Sequence, residues 1–233
     1  MTRFALIALL LPVAAFAQAP EGRVYTPGAF DAIEVSGAAA VRFVQGEVDE
    51  VFVEGGADAQ RAVDLEVRDG QLLIRSSGGW KFWSAQRTQL QVTARDLRRL
   101  SISGAADVVA GAPVQVRQLA ISISGAGLAR FERLRAGQLI FSVSGAGSGE
   151  IGGAVQQLDI NVSGRGEFRG EQLLSERATV QVSGIGDVKV WAQQQLNITV
   201  SGVGTVDHWG SAQVRRRTSG IAKVNDHGPK AAP

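Results

Sequence analysis

From Leu100 onward, apolar and polar side chains alternate in short runs that restart about every twenty residues, and each run ends on Ser-Gly. The serines are Ser103, Ser124, Ser144, Ser163, Ser183, Ser201 and Ser219, at steps of 21, 20, 19, 20, 18 and 18 residues, with an isolated earlier copy at Ser36. One position before the serine stand Ile102, Ile123, Val143, Val162, Val182 and Val200, and three before it Leu100, Ile121, Phe141, Ile160, Val180 and Ile198. The two-residue period of a strand puts both columns on one inward face. Three positions after the serine no side chain exceeds a methyl group: Ala106, Gly127, Gly147, Gly166, Gly186, Gly204 and Ala222. That column marks a crowded corner or a backbone position closed to larger residues. Five positions after come Val108, Ala129, Gly149, Phe168, Val188, Val206 and Val224, a second, mostly apolar inward column. Each unit therefore predicts a strand, a glycine corner, a second strand and a short third side.

Such a unit buries its apolar face only against another copy of itself. Units of this length fit one turn of a parallel β-helix, with turns about 4.8 Å apart, whereas a propeller blade needs roughly twice the length. The chirality of parallel connections favours right-handed winding. The predicted fold is all-β, a right-handed single-stranded parallel β-helix with an N-terminal β cap.

Upstream, residues 30 to 100 read as first turns and cap. Ile33 and Val35 alternate, Val41 to Val44 and Val51 to Val53 make short strands, and Asp69-Gly70 joins Val63–Val67 to Leu72–Ile74 as a hairpin. Residues 18 to 29 read as a linker, 101 to 227 as the repeated turns, and 228 to 233 as a flexible tail. Arg215-Arg216-Arg217 breaks the apolar pattern at the far end, where charge discourages further stacking.

The N-terminus reads as a secretory signal peptide over residues 1 to 17: Arg3, an apolar run from Phe4 to Val13, and small residues up to Ala17. The run is too short for a membrane span and no later stretch approaches one. The chain has no cysteine, which excludes disulfides and a lipidated-cysteine anchor. These features predict export to a bacterial periplasm or cell surface. The net charge of +2 gives no case for nucleic acid.

The exported N-terminus, Phe30-x-x-Ile33-x-Val35-Ser36-Gly37, Val44-Gln45-Gly46 and the Val/Ile-Ser-Gly-x-Gly units together resemble the putative auto-transporter adhesin head GIN domain family, across roughly residues 30 to 210. The resemblance implies a bacterial envelope protein with a right-handed, pectin-lyase-like parallel β-helix, and it brings no established catalytic residues. No membrane-barrel domain is expected after residue 210.

Enzyme chemistry on a polysaccharide would need convergent carboxylates. Glu167 and Asp187 are the best pair, four positions after the serine on adjacent predicted turns, but that column faces outward and is variable. A nucleophilic serine would need a base in turn after turn, yet the two histidines, His208 and His227, sit near the C-terminal end. No zinc or calcium pattern is present, and no metal or cofactor is expected.

Two aromatic sets are candidate binding surfaces. Trp191 and Trp209 share one offset, with His227 next in the column, and face either outward as a stacking strip or inward as core. Trp80, Phe82 and Trp83 lie in a glycine-rich excursion, where they either cover the helix end or contact a protein or glycan. The sequence thus predicts a non-catalytic exported envelope protein with an adhesive, binding or structural role. A carbohydrate-active β-helix and a purely structural assembly unit are the alternatives. The expected partners are an envelope protein or a glycan, with a homo-oligomer through a helix end or an aromatic surface also open.

Overall fold

The protein is described from a computed structural model covering residues 21–77 and 87–231. Its strands form one continuous, mostly parallel coil of β-sheet. In chain order they are β1 (Gly22–Tyr25), β2 (Ala32–Ser36), β3 (Ala39–Gln45), β4 (Glu50–Glu54), then helix α1 (Ala57–Arg61), β5 (Val63–Arg68), β6 (Gln71–Ser76), β7 (Thr88–Ala94), β8 (Arg99–Ile102) and β9 (Asp107–Ala110). The long repeats follow as β10 (Val114–Ile123), β11 (Leu128–Val143), β12 (Ala146–Val162), β13 (Arg165–Val182) and β14 (Ile185–Val200), and the stack ends in β15 (Val203–Trp209), β16 (Gln213–Thr218) and β17 (Ile221–Asp226). The parallel β-helix and its N-terminal β cap are those expected from the periodicity.

Register follows the Ser-Gly alignment. Ile121 pairs with Phe141, Phe141 with Ile160, Ile160 with Val180 and Val180 with Ile198. Both predicted inward columns are buried from Leu100 to Val200, because a parallel in-register stack places each apolar side chain on its equivalent in the turns above and below. The Phe141 ring fills the space left by Gly149 and meets Phe168 with ring centroids 5.0 Å apart.

The copy at Ser36 is not isolated in space. β2 and β3 carry β8 and β9 on one side, with Val35 opposite Ile102, and β6 and β7 on the other, with Val35 opposite Ile74. The chain therefore leaves the stack after β3, builds the cap, lays β6 and β7 on the outer side, and crosses back to place β8 and β9 on the inner side. In the cap, β4 pairs antiparallel with β1 and β7, and β5 forms the expected hairpin with β6. The turn residues Asp69 and Gly70 have φ of 50° and 74°, the left-handed pair that a two-residue hairpin requires. Gly22–Tyr25, read from sequence as part of a linker, is strand β1, since Val24 can pair with Phe52 where the cap leaves β4 an open edge.

The third side is not a separate strand. β11 to β14 run 16 to 18 residues and bend at a second corner, where the register slips between Phe131 and Leu134, Glu150 and Gly152, and Gly170 and Leu174. Slips of this kind let a strand turn while keeping its ladder. Gly153 at this corner has φ of 122°, and a side chain there would overlap the Leu134 carbonyl.

Candidate binding surface

At the Ser-Gly corner the regular bonds are backbone ones: the N–H of Ser124, Ser144, Ser163, Ser183, Ser201 and Ser219 each donates to a carbonyl of the preceding turn at 2.8–3.0 Å. The hydroxyls of Ser103 and Ser163 donate only loosely, to Val35 and Val143 carbonyls at 3.5 and 3.4 Å. All seven serines are exposed, and none is paired with a histidine. The invariant element is instead the following glycine, whose absent β-carbon leaves room for the previous turn's carbonyl.

Glu167 and Asp187 stand opposite one another on β13 and β14, as the spacing predicts. Glu167 is engaged, however: its carboxylate accepts from Arg169 Nε at 2.7 Å. Arg169 also reaches Glu150 at 2.9 Å, and Glu150 meets Arg130 at 2.5 Å, so three successive turns are laced by alternating charges. The arrangement is a surface ion-pair ladder, in which each carboxylate balances a guanidinium. Among the described residues no group of three or more His, Asp or Glu side chains is placed to hold a metal ion.

The Trp191–Trp209 column is in register, but its two rings have different surroundings. Trp191 is fully buried and cannot serve as an exposed stacking surface, because β14 turns it inward at the second corner beside Ser175, whose hydroxyl donates to the Trp191 carbonyl at 2.7 Å. Trp209 is half-buried beneath the chain's last residues. His227 stacks on it with centroids 4.5 Å apart, and Lys230 Nζ lies 5.9 Å from its ring and 5.0 Å from that of Trp191. Residues 228–231 are thus tethered at Lys230, which also donates to the Glu171 carbonyl. Asp207 holds this closure: burial pushes its carboxyl up, but hydrogen bonds from His227 and Asn225 win and keep it below the usual range. Burial lowers the imidazole of neighbouring His208, against the pull of Asp226. Trp80, Phe82 and Trp83 lie outside the described residues.

One concavity is built by residues the sequence reading did not single out. Along the second corner an outward column runs Gln115, Arg135, Ala154 and Leu174, and the one two positions on runs Arg117, Gly137, Gln156 and Glu176. Ala154 and Gly137 are gaps in otherwise long-side-chain columns. Together with Gly153 they open a groove of about 490 Å³ between Pro113 and Leu174, continuous with a hollow of about 430 Å³ that reaches Glu176. Pro113, Ala154 and Leu174 carry its accessible apolar surface, above the core side chains of Val114, Leu134 and Val155. Its only signal in the sequence is small residues, Ala136-Gly137 and Gly152-Gly153-Ala154, where neighbouring turns carry long ones.

A parallel β-solenoid with a grooved side and laced, carboxylate-balanced surface columns defines a class of binding scaffold. The family model described as putative auto-transporter adhesin, head GIN domain, matches residues 29–212, and the chain belongs to that family. Among solved structures, a putative adhesin from Bacteroides fragilis matches at 19% identity and TM-score 0.84, covering 90% of this chain and 98% of its own. A putative adhesin from Parabacteroides distasonis matches at 20% identity and TM-score 0.68, covering 90% and 98%. A protein from the same organism described as a putative lipid binding protein matches at 19% identity and TM-score 0.64, covering 90% and 97%. These likenesses establish the fold. No curated protein matches the chain.

Proposed function

We propose that this chain is a non-catalytic binding module of the bacterial envelope, exported to the periplasm or cell surface, which adheres through the side of its solenoid. Family membership supports the adhesive role, and one observation carries the choice of face: the groove over Val114, Leu134, Ala154 and Leu174 crosses four successive turns on a rigid in-register scaffold. Pockets of about 300–1,000 Å³ with an apolar floor and a few polar rim groups are the usual form of a binding site. Among the described residues no helix is long and apolar enough to cross a membrane. The partner is a component of the envelope, either a protein or a glycan. The segment carrying Trp80, Phe82 and Trp83 is a second contact candidate, on its aromatic composition.

The test is saturable retention of the labelled mature chain on isolated bacterial envelope fragments. Ala154→Trp fills the groove without touching the core and should reduce retention about tenfold at unchanged circular dichroism, and a Trp80→Ala/Trp83→Ala variant reads the aromatic segment separately. Absence of saturable retention overturns the adhesive reading. Full retention by Ala154→Trp removes the groove from it.

A further inference from the structure

The C-terminal end of the solenoid combines a free strand edge, exposed apolar side chains and unmatched positive charge. β16 pairs with β14 alone and β17 with β15 alone, and among the described residues no strand lies on their outer side. The N–H groups of Ser219 and Ile221 donate to Val200 and Gly202 of the turn beneath. Backbone directions alternate along a strand, so the N–H and C=O groups of Val214, Arg216, Ala222 and Val224 point the other way, out of the stack.

Apolar exposure gathers at the same end. The outward column two positions after the serine holds Ala126, Ala146 and Arg165 in deeper turns, then Ile185, Val203 and Ile221, which are 50%, 46% and 77% exposed. Val214 on β16 is exposed as well. The last layer also carries Arg215, Arg216, Arg217 and Lys223 against one acid, Asp226. Among the described residues none of these four cations has an ion-pair partner. Single unmatched arginines such as Arg117 and Arg135 lie on other faces, but the run of three falls on this free edge.

An extended acidic strand answers all three features. Its backbone pairs the outward N–H and C=O groups, which a polysaccharide lacks the means to do in register. Its alternating side chains set carboxylates against Arg215 and Arg217 on the outer face and against Arg216 on the end face, where the added strand stays open to water on its far side. An apolar residue four positions after the third acid falls on Ile221 and extends the exposed column. A second copy of the chain fits less well: its equivalent end is equally basic, and on its opposite free edge, β5, Glu66 is already held by Arg68 at 2.5 Å and Arg75 at 3.3 Å. We propose that this end takes up an acidic strand of another protein, added in register as one more turn. The site is separate from the side groove.

The probe is a peptide of the chain's own residues 213–225 in which Arg215, Arg216, Arg217 and Lys223 are each replaced by Glu, so that every cation of the end layer meets a carboxylate. Titrated into the isotope-labelled mature chain, it should saturate near one peptide per chain and slow amide hydrogen exchange at Val214, Arg216, Ala222 and Val224. The unaltered peptide should bind about tenfold more weakly or worse, because like charges then face each other. N-methylation of the probe at positions 215, 217 and 221 removes the donors that face the edge at unchanged charge, and should weaken it about tenfold. Arg215→Glu/Arg216→Glu/Arg217→Glu in the chain should abolish binding of the probe and admit the unaltered peptide, an exchange of preference that a misfolded variant does not show. Ala154→Trp should leave binding unchanged, so failure here and failure of the groove are read separately. Oligogalacturonate supplies negative charge without a peptide backbone. Binding of it as tight as that of the probe, or probe binding that ignores N-methylation or leaves exchange on the free edge unslowed, makes the end a general polyanion site and overturns the inference. Absence of saturable probe binding also overturns it, as does self-association of the unmodified chain through this end, which would make a second copy the occupant.

Discussion

The backbone of Gly145 lies so close to the carbonyl oxygen of Ser124 on the preceding turn that a β-carbon would overlap it. The same relationship recurs between Gly164 and Ser144, and between Gly184 and Ser163. It arises because the ladder is drawn together here, with Ser144 N–H bonded to Ile123 and Ala146 N–H to Gly125 at 3.0 and 2.9 Å. None of these glycines has a positive φ, so space selects them rather than backbone conformation.

Gly145→Ala should therefore destabilise the chain by about 3 kcal/mol, since backbone atoms of two turns must separate to admit one methyl group. Gly111 is the control: a β-carbon there meets nothing nearer than the Glu132 carboxylate at 3.8 Å, and Gly111→Ala should change stability by less than about 0.5 kcal/mol. Urea midpoints of the two variants check this. Equal effects would show that close approach is not what the repeat protects.

Trp191 and Trp209 should differ in the same measurement. Removing a fully buried indole leaves a cavity, and Trp191→Ala should cost about 3–5 kcal/mol. Trp209→Ala forfeits a half-buried ring and its stack on His227, and should cost clearly less. Lys230→Ala removes the cation over both rings and should cost about 0.5–1 kcal/mol. A Trp209 variant as unstable as the Trp191 variant would contradict this order.

Acid should weaken the chain in two steps. Burial lowers the folded-state affinity of His208 for its proton below the ordinary 6.5, so the unfolded chain takes up that proton first and stability declines as pH falls through the ordinary value. The second step falls below the ordinary carboxylate value of 3.8, where Asp49, held down by its hydrogen bond from Arg95, and Asp207 must protonate. Urea midpoints at about pH 8 and pH 5 resolve the first step, which His208→Gln should abolish. Persistence of that step in the variant would assign it elsewhere.

The repeat columns made the fold readable because an in-register parallel stack repeats one environment, so Ile102, Ile123 and Val143 answer to one constraint and show it as a column. The cap was less readable. β1 pairs with β4 across about thirty residues, and β6 and β7 occupy a place in the stack out of chain order, which no local pattern encodes. The groove was least readable, since Ala154 and Gly137 form it by what they lack relative to Arg135, Leu174, Arg117 and Gln156 on neighbouring turns. Trp191 illustrates the remaining limit: the slip between Gly170 and Leu174 turns it inward, and a fixed offset from the serine does not record that slip.

Arg216 on β16 occupies the inward column filled by Ile160, Val180 and Ile198 in deeper turns, and it is opposite Ile198 in register. β16 pairs with β14 alone and all six of its residues are exposed, so its outer edge presents free backbone donors and acceptors. Such an edge recruits further strands unless charge prevents it. Three consecutive guanidinium groups, one of them on the face where the next turn would need an apolar side chain, oppose that pairing by repulsion and by the cost of desolvating a cation. Replacing Arg215, Arg216 and Arg217 by Thr, Ile and Thr restores the pattern of a stackable turn. Light scattering should then show mass rising with protein concentration, with little change in the wild-type chain over the same range. Equal behaviour of the two proteins would mean that the arginines are not what keeps this edge unpaired.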